Sequence, residues 1–217
     1  MLDNVGTLCR SYSEERDHTM SKWIAGVLMM AGIVLGSMPN DAAASGVKIA
    51  VVRDRIAVVY FSWSPSGNTR FAAETIARKT DGRLFEIKAK TPYAADYKGC
   101  CDEAKPECYG KQLRPILPVE GLDLAHYDVI FVGTPNWWGT MAPPVRTFLT
   151  ENATALRGKV VCLFQTNGGG GMQRCAEEFS KLLPGAKILP AAEFTGSTIR
   201  DNVSMLEKFV DDRIILK

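Results

Sequence analysis

Ile56-Ala57-Val58-Val59-Tyr60-Phe61-Ser62-Trp63-Ser64-Pro65-Ser66-Gly67-Asn68-Thr69 decides how this chain of 217 residues is read. A continuous apolar run breaks into Ser, Pro and Gly and then enters a segment of helical character at Thr69. That order predicts a buried parallel strand, a loop that cradles a phosphate, and a helix N-terminus. The loop offers hydroxyls from Ser62, Ser64, Ser66 and Thr69, and Gly67 lets backbone amides approach an anion closely. The unpaired N–H groups and positive dipole end of the helix favour a phosphate dianion. No Lys closes the loop, as the triphosphate P-loop requires, and its single glycine does not make a dinucleotide fingerprint.

Outward from that stretch, four more strand candidates alternate with helical segments. Val129–Gly133 and Val160–Phe164 are almost wholly apolar, as strands covered on both faces should be. Leu84–Ile87 admits a charge, and the stretch around Lys187–Phe194 contains Pro190, which removes a ladder hydrogen bond. Both suit edges, which is where the doubly wound order 2-1-3-4-5 puts its second and fifth strands. Ala72, Ala73, Ile76 and Ala77 give the first helix a narrow apolar face, and Pro184-Gly185 stops the helix that ends at Leu182-Leu183. Val203, Leu206, Phe209, Val210 and Ile214 share one face of a final helix. Between residues 89 and 126, Thr91-Pro92 opens a helix through Ala104, after which Pro106, Pro115 and Pro118 impose an irregular path.

Two further loops fall at the C-terminal ends of the third and fourth strands. They are Gly133-Thr134-Pro135-Asn136-Trp137-Trp138-Gly139-Thr140-Met141 and Thr166-Asn167-Gly168-Gly169-Gly170-Gly171. A phosphate held by hydroxyls and amides, with no cation in the loop, points to flavin mononucleotide (FMN). Ser64-x-x-Gly67-Asn68-Thr69 after an apolar strand resembles the phosphate loop of the flavodoxin superfamily. Pro-x-Trp-Trp-Gly followed by Pro143-Pro144-Val145-Arg146-Thr147-Phe148-Leu149 resembles one FMN-binding branch of it. The resemblance covers Ile56 to the C-terminus and implies an α/β fold, a flavodoxin-like three-layer doubly wound sheet of five parallel strands.

By the same resemblance, Ser62, Ser64, Ser66, Gly67, Asn68 and Thr69 hold the FMN phosphate. Pro135, Asn136, Trp137, Trp138 and Gly139 contact the ring, with Trp138 favoured over Trp137 as the stacked indole, and Thr166, Asn167, Gly168 and Gly169 line its other side. The flavin carries the electrons, and no catalytic side chain is required. Two features depart from the family pattern. The register of Ser62 against Ser64 is ambiguous, and the third loop lacks the Tyr that many electron carriers stack on the flavin. An uncovered face admits a nicotinamide or a quinone, unless Trp63 or a residue of the long connection fills the gap.

Three functions compete on these residues. One is an NAD(P)H-dependent reductase of a quinone-type acceptor, one a one-electron carrier for a redox partner protein, and one a binding module that has lost flavin. Residues 45–217 carry 23 Lys and Arg against 19 Asp and Glu. They therefore lack the acidic surface by which shuttle proteins are steered to basic partners. The basic residues are scattered, which gives no nucleic-acid footprint.

Residues 1–44 read as an amino-terminal extension and signal peptide, 45–55 as a short linker and 56–217 as the domain. Lys22 precedes the apolar stretch Trp23–Leu35, which leads to Ala42-Ala43-Ala44. That stretch is shorter than the about 20 residues of a membrane span. The expectation is export to the periplasm or beyond, with no stable span after cleavage; the alternative is an uncleaved anchor, and the start is Met1 or Met20. Of six cysteines, Cys162 sits in an apolar strand, while Cys108 is a candidate to pair with Cys100 or Cys101 in an oxidising compartment. His126 and Asp128 precede a strand, at the end of the sheet remote from ligands.

Overall fold

The apolar runs form the parallel sheet that organises the protein, whose computed structural model describes residues 48–217. In chain order, β1 (Ile49–Val51) and β2 (Ile56–Tyr60) precede α1 (Asn68–Thr80), β3 (Arg83–Glu86) and α2 (Tyr97–Tyr109). Next come β4 (Val129–Trp137), β5 (Thr140–Met141), α3 (Pro143–Asn152) and β6 (Val160–Asn167). The chain ends with α4 (Cys175–Leu182), β7 (Lys187–Thr195), α5 (Val203–Asp211) and β8 (Ile214–Leu216). Five parallel strands lie in the order β3-β2-β4-β6-β7, the doubly wound order expected from the sequence. The expected signal segment, 1–44, lies outside the described residues.

Because successive strand residues face opposite sides, the central strands feed two cores. Ala57, Val59, Ile130, Val132 and Leu163 meet α2, α3 and α4 through Ala104, Phe148 and Phe179. Ile56, Val58, Phe131 and Phe164 meet α1 and α5 through Ile76, Leu206 and Phe209. Full burial of each large apolar side chain contributes roughly 1.5–3 kcal/mol. Proline finds its place at the edge: Cys162 faces Leu189 while Phe164 faces Ala192, so β7 bulges at Pro190-Ala191 and loses little by the missing N–H.

The structure corrects several boundaries. α2 starts at Tyr97, not near Thr91, because the Asp96 side chain accepts the Gly99 N–H at 2.8 Å as an N-cap. It also continues past Ala104 and through Pro106 to Tyr109, where Arg114 ties together Glu103 (2.9 Å) and Glu107 (2.7 Å). β4 and β6 outrun their apolar cores, and Pro135 pairs with Thr166 inside the ladder. Ile214 does not share the face of α5; it belongs to β8, which pairs in parallel with β1. The segment read as a linker therefore includes a strand, with Val51 buried.

None of the five described cysteines is in a disulfide. Cys100, Cys101 and Cys108 all lie on α2, and a spacing of seven or eight residues is about 10–12 Å of helix rise. A disulfide needs Cα atoms within about 7 Å, so helix geometry rules out the bridge considered above. Burial pushes the thiols of Cys100, Cys108, Cys162 and Cys175 up to about 12, which leaves them neutral and poorly nucleophilic near about pH 8. Iodoacetamide labelling of the native protein, followed by peptide mapping, is expected to find Cys101 modified and these four protected until denaturant is added. Fast native labelling of any of the four would contradict its burial.

Candidate functional site

Three loops open at the C-terminal ends of β2, β4 and β6, the end of a doubly wound sheet where ligands bind. In the first, the Phe61 N–H makes a last bond to the Gly133 carbonyl at 3.1 Å before the chain leaves the sheet. Ser64 to Gly67 then form a turn in which the Gly67 N–H donates to the Ser64 carbonyl at 2.9 Å. Gly67 has φ +59°, which glycine adopts without steric cost, and becomes the N-cap of α1. No side chain caps this helix and its first turn holds no acid, so its amides remain available to an anion. The Ser64 and Ser66 hydroxyls lie 3.0 Å apart at the surface. Ser64, and not the half-buried Ser62, thus belongs to the turn that meets the helix. Thr69 is only 2 % exposed, and its Oγ1 lies 2.7 Å from that of Thr166. Its hydroxyl ties the first loop to the third.

The second loop is a hairpin. Pairing of Asn136 with Met141 and Trp137 with Thr140 leaves Trp138-Gly139 as a two-residue turn. Their φ values are +50° and +79°, the signs of a type I′ turn. A left-handed Trp costs roughly 1–2 kcal/mol, and bonds from several directions hold it there. The Gly139 N–H donates to Asn136 Oδ1 at 2.9 Å, and Arg174 donates to the Trp138 carbonyl at 3.1 Å and, through its backbone, to the Gly139 carbonyl at 3.0 Å. Asn136 Nδ2 donates to the Gly171 carbonyl at 2.8 Å, joining the second loop to the third. Behind the hairpin, buried Arg146 donates to Thr140 Oγ1 (2.9 Å) and to the Gln112 carbonyl (3.0 Å), while Thr140 donates to Glu178. A buried guanidinium requires such partners, and these brace the strand that follows the turn.

The third loop organises itself. Asn167 Oδ1 accepts the Gly169 N–H at 2.7 Å, Asn167 Nδ2 donates to Gln165 Oε1 at 3.0 Å, and Gln165 Nε2 donates to the Gly171 carbonyl at 3.0 Å. Gly168 and Gly169 are exposed. Gly169 has φ +109°, and a Cβ placed on it would meet nothing within 4 Å. Trp63 and Tyr93 of the long connection pack around Trp137, whose ring meets Tyr93 at 5.1 Å, Phe61 at 5.7 Å and Trp63 at 6.3 Å, all edge to face. Trp63 Nε1 donates to the Ala94 carbonyl at 3.1 Å, and Tyr93 donates to Glu107 at 2.6 Å under the Arg114 guanidinium. Burial, reinforced by the bond to Glu107, pushes the Tyr93 hydroxyl far above its ordinary value.

Sequence reasoning missed Tyr93, Arg174 and Arg200, none of which lies in a loop motif, and gave Arg146 no role beyond its place in a motif. Arg200 donates to Asn68 Oδ1 at 2.6 Å and to the Ser66 carbonyl. Arg70, by contrast, is paired with Glu86 at 2.8 Å. His126 and Asp128 stand at the far end of the sheet as expected: His126 Nε2 lies 3.0 Å from the Asp54 carbonyl and Asp128 pairs with Arg55.

The model of a family described as flavodoxin matches residues 55–212. The solved structure of a flavoprotein in complex with FMN from Lactobacillus acidophilus is 26 % identical, with a TM-score of 0.57 over 70 % of this chain and 99 % of that one. A flavoprotein from Bacteroides eggerthii is also 26 % identical, with a TM-score of 0.57 over 70 % of this chain and 97 % of its own.

Proposed function

This chain belongs to the flavodoxin family, and from that premise we propose that it binds FMN and acts as a reductase. In this reading it passes electrons from NADH or NADPH to a small acceptor of the quinone class. The donor set fits FMN. Two surface hydroxyls 3.0 Å apart, a left-handed Gly67 and an uncapped helix start suit a phosphate dianion. The Trp138 indole at the hairpin tip offers an apolar face to a planar ring.

When bound, FMN supplies the redox chemistry. The chain's own residues bind and orient it. Ser64, Ser66 and the first-turn amides of α1 hold the phosphate, while the Thr69–Thr166 bond keeps the first and third loops in fixed relation. Asn136 and Arg174 hold Trp138 in its left-handed turn.

What favours a reductase over a one-electron carrier is that the third loop carries no aromatic side chain over Gly168–Gly171 to cover a bound ring, which would leave a second planar molecule access to it. The slight basic excess of residues 45–217 agrees, since it lacks the acidic field that steers carriers to basic partners. The test is to incubate the full chain with FMN, desalt it, record the visible spectrum, and reduce it anaerobically with NADH, NADPH and dithionite. Retained flavin that a nicotinamide reduces in a single two-electron stage is the expected result. Retained flavin that ignores both nicotinamides and takes up dithionite electrons one at a time would favour the carrier. Failure to retain flavin would withdraw the FMN assignment.

A further inference from the structure

The phosphate loop has no cation of its own in sequence, yet the fold delivers one from more than 130 positions away. The segment after β7 turns beneath the loop. The Gly196 N–H donates to the Asn167 carbonyl at 2.8 Å, and Ile199, 2 % exposed, anchors the turn in the core. A Cβ at Gly196 would come within 2.3 Å of Asn68 Nδ2, so a larger residue there would displace the Asn68 side chain that Arg200 holds. That contact carries Arg200 to the loop. Its guanidinium donates to the Ser66 carbonyl and to Asn68 Oδ1, on either side of Gly67, and lies over the Phe71 ring at 4.9 Å.

Charge separates Arg200 from its neighbour. Arg70 also stands at the start of α1, but Glu86 neutralises it at 2.8 Å. Among the described residues no carboxylate pairs with Arg200, and its two hydrogen bonds go to neutral oxygens. Those bonds use two of the five N–H donors of a guanidinium. The result is an uncompensated cation, exposed to solvent and fastened to the two residues that flank the turn glycine.

Resting on the FMN reading above, we infer that Arg200 is a further binding residue of this site, specific for the phosphate end of the ligand. It holds Ser66 and Asn68 in the shape that presents the loop amides, and it sets a positive charge against the phosphate dianion. Charge-assisted bonds of this kind are about twice as strong as neutral ones, and a guanidinium keeps its charge at every working pH. Ring recognition, which belongs to the second and third loops, does not depend on it.

The experiment compares the full wild-type chain with Arg200→Ala and Arg200→Lys, titrated with FMN and with riboflavin while flavin fluorescence is followed. The FMN titrations are repeated at low and high salt. The expected result is that Arg200→Ala weakens FMN by about tenfold or more and leaves riboflavin within about twofold. It should also flatten the salt dependence of FMN binding, and Arg200→Lys should fall between. Unchanged FMN affinity in Arg200→Ala, or an equal loss for FMN and riboflavin with an unaltered salt dependence, would overturn the assignment of Arg200 while leaving the FMN site standing. A wild-type chain that binds neither flavin would overturn the FMN reading itself, and this inference with it.

Discussion

Gly133→Ala is expected to destabilise the protein by about 3 kcal/mol, the upper range for adding a methyl group to a filled interior. Gly133 is on the central strand β4, in register with Tyr60 on β2 and Phe164 on β6. A Cβ there would lie 2.3 Å from Phe164 Cζ, 2.5 Å from its Cε2 and 3.0 Å from Tyr60 Cβ. The Phe164 ring is fully buried and Tyr60 nearly so, so neither can swing aside into solvent. For a domain of this size the loss corresponds to a fall of roughly 6–12 °C in melting temperature. Phe164→Leu should relieve part of the clash, so the double variant should lose less than the two single losses added together. A Gly133→Ala variant that unfolds within about 1 kcal/mol of wild type would show that the strand can yield there. Since the first and second loops leave the sheet just beyond this point, the same variant should also hold FMN less well.

Trp137 and Trp138 are adjacent in sequence and are expected to respond differently, one in stability and the other in flavin binding. Trp137 meets three aromatic rings at 5.1–6.3 Å, and replacing such a side chain by alanine costs about 3 kcal/mol or more. Trp137→Ala should therefore lower the denaturation midpoint of the flavin-free protein. Trp138 has φ +50° at the tip of a hairpin. Trp138→Gly removes the left-handed strain but also the packing of the half-buried indole on the core, so the two should largely cancel and leave the flavin-free protein within about 1 kcal/mol of wild type. If its indole covers the flavin, as proposed, the same change forfeits about 2 kcal/mol of apolar contact and stacking, or roughly thirtyfold in FMN affinity. Chemical denaturation without flavin and fluorescence titration with it measure the two effects separately. Weaker FMN binding in Trp137→Ala than in Trp138→Gly, at equal folded fraction, would assign the stacked indole to the wrong residue. This pairing of local strain with a binding loop is a common way for a functional turn to differ from its scaffold.

The architecture was legible because the signals that carry it are local. Ile56–Tyr60, Val129–Val132 and Val160–Phe164 are apolar without alternation, which only strands covered on both faces sustain. Pro190 marked its strand as an edge, and that is where β7 lies, with a bulge at the proline. Each loop was visible as a burst of Gly, Ser, Asn or Trp after such a run. Reading failed once because a strand partner was distant in sequence and once because a second local cap competed. Ile214 fits the period of α5 but has β1 as its neighbour. Thr91-Pro92 looks like a helix start, yet the capping bond belongs to Asp96.

By itself, the sequence determined the strand order, the end of the sheet where the loops gather, and the Ser64–Gly67 turn that leads into the first helix. Hydrophobic periodicity and turn chemistry act over a few residues and need no knowledge of the rest of the chain. Tertiary structure decided how the loops are joined and charged. Thr69 meets Thr166 across 97 positions, Asn136 meets Gly171 across 35, and Arg200 reaches Asn68 across 132. Each of these bonds involves a side chain whose partner no periodicity relates to it. They exist only because the sheet order sets the ends of β2, β4, β6 and β7 side by side, so that the three loops and Arg200 come together at one end of the sheet.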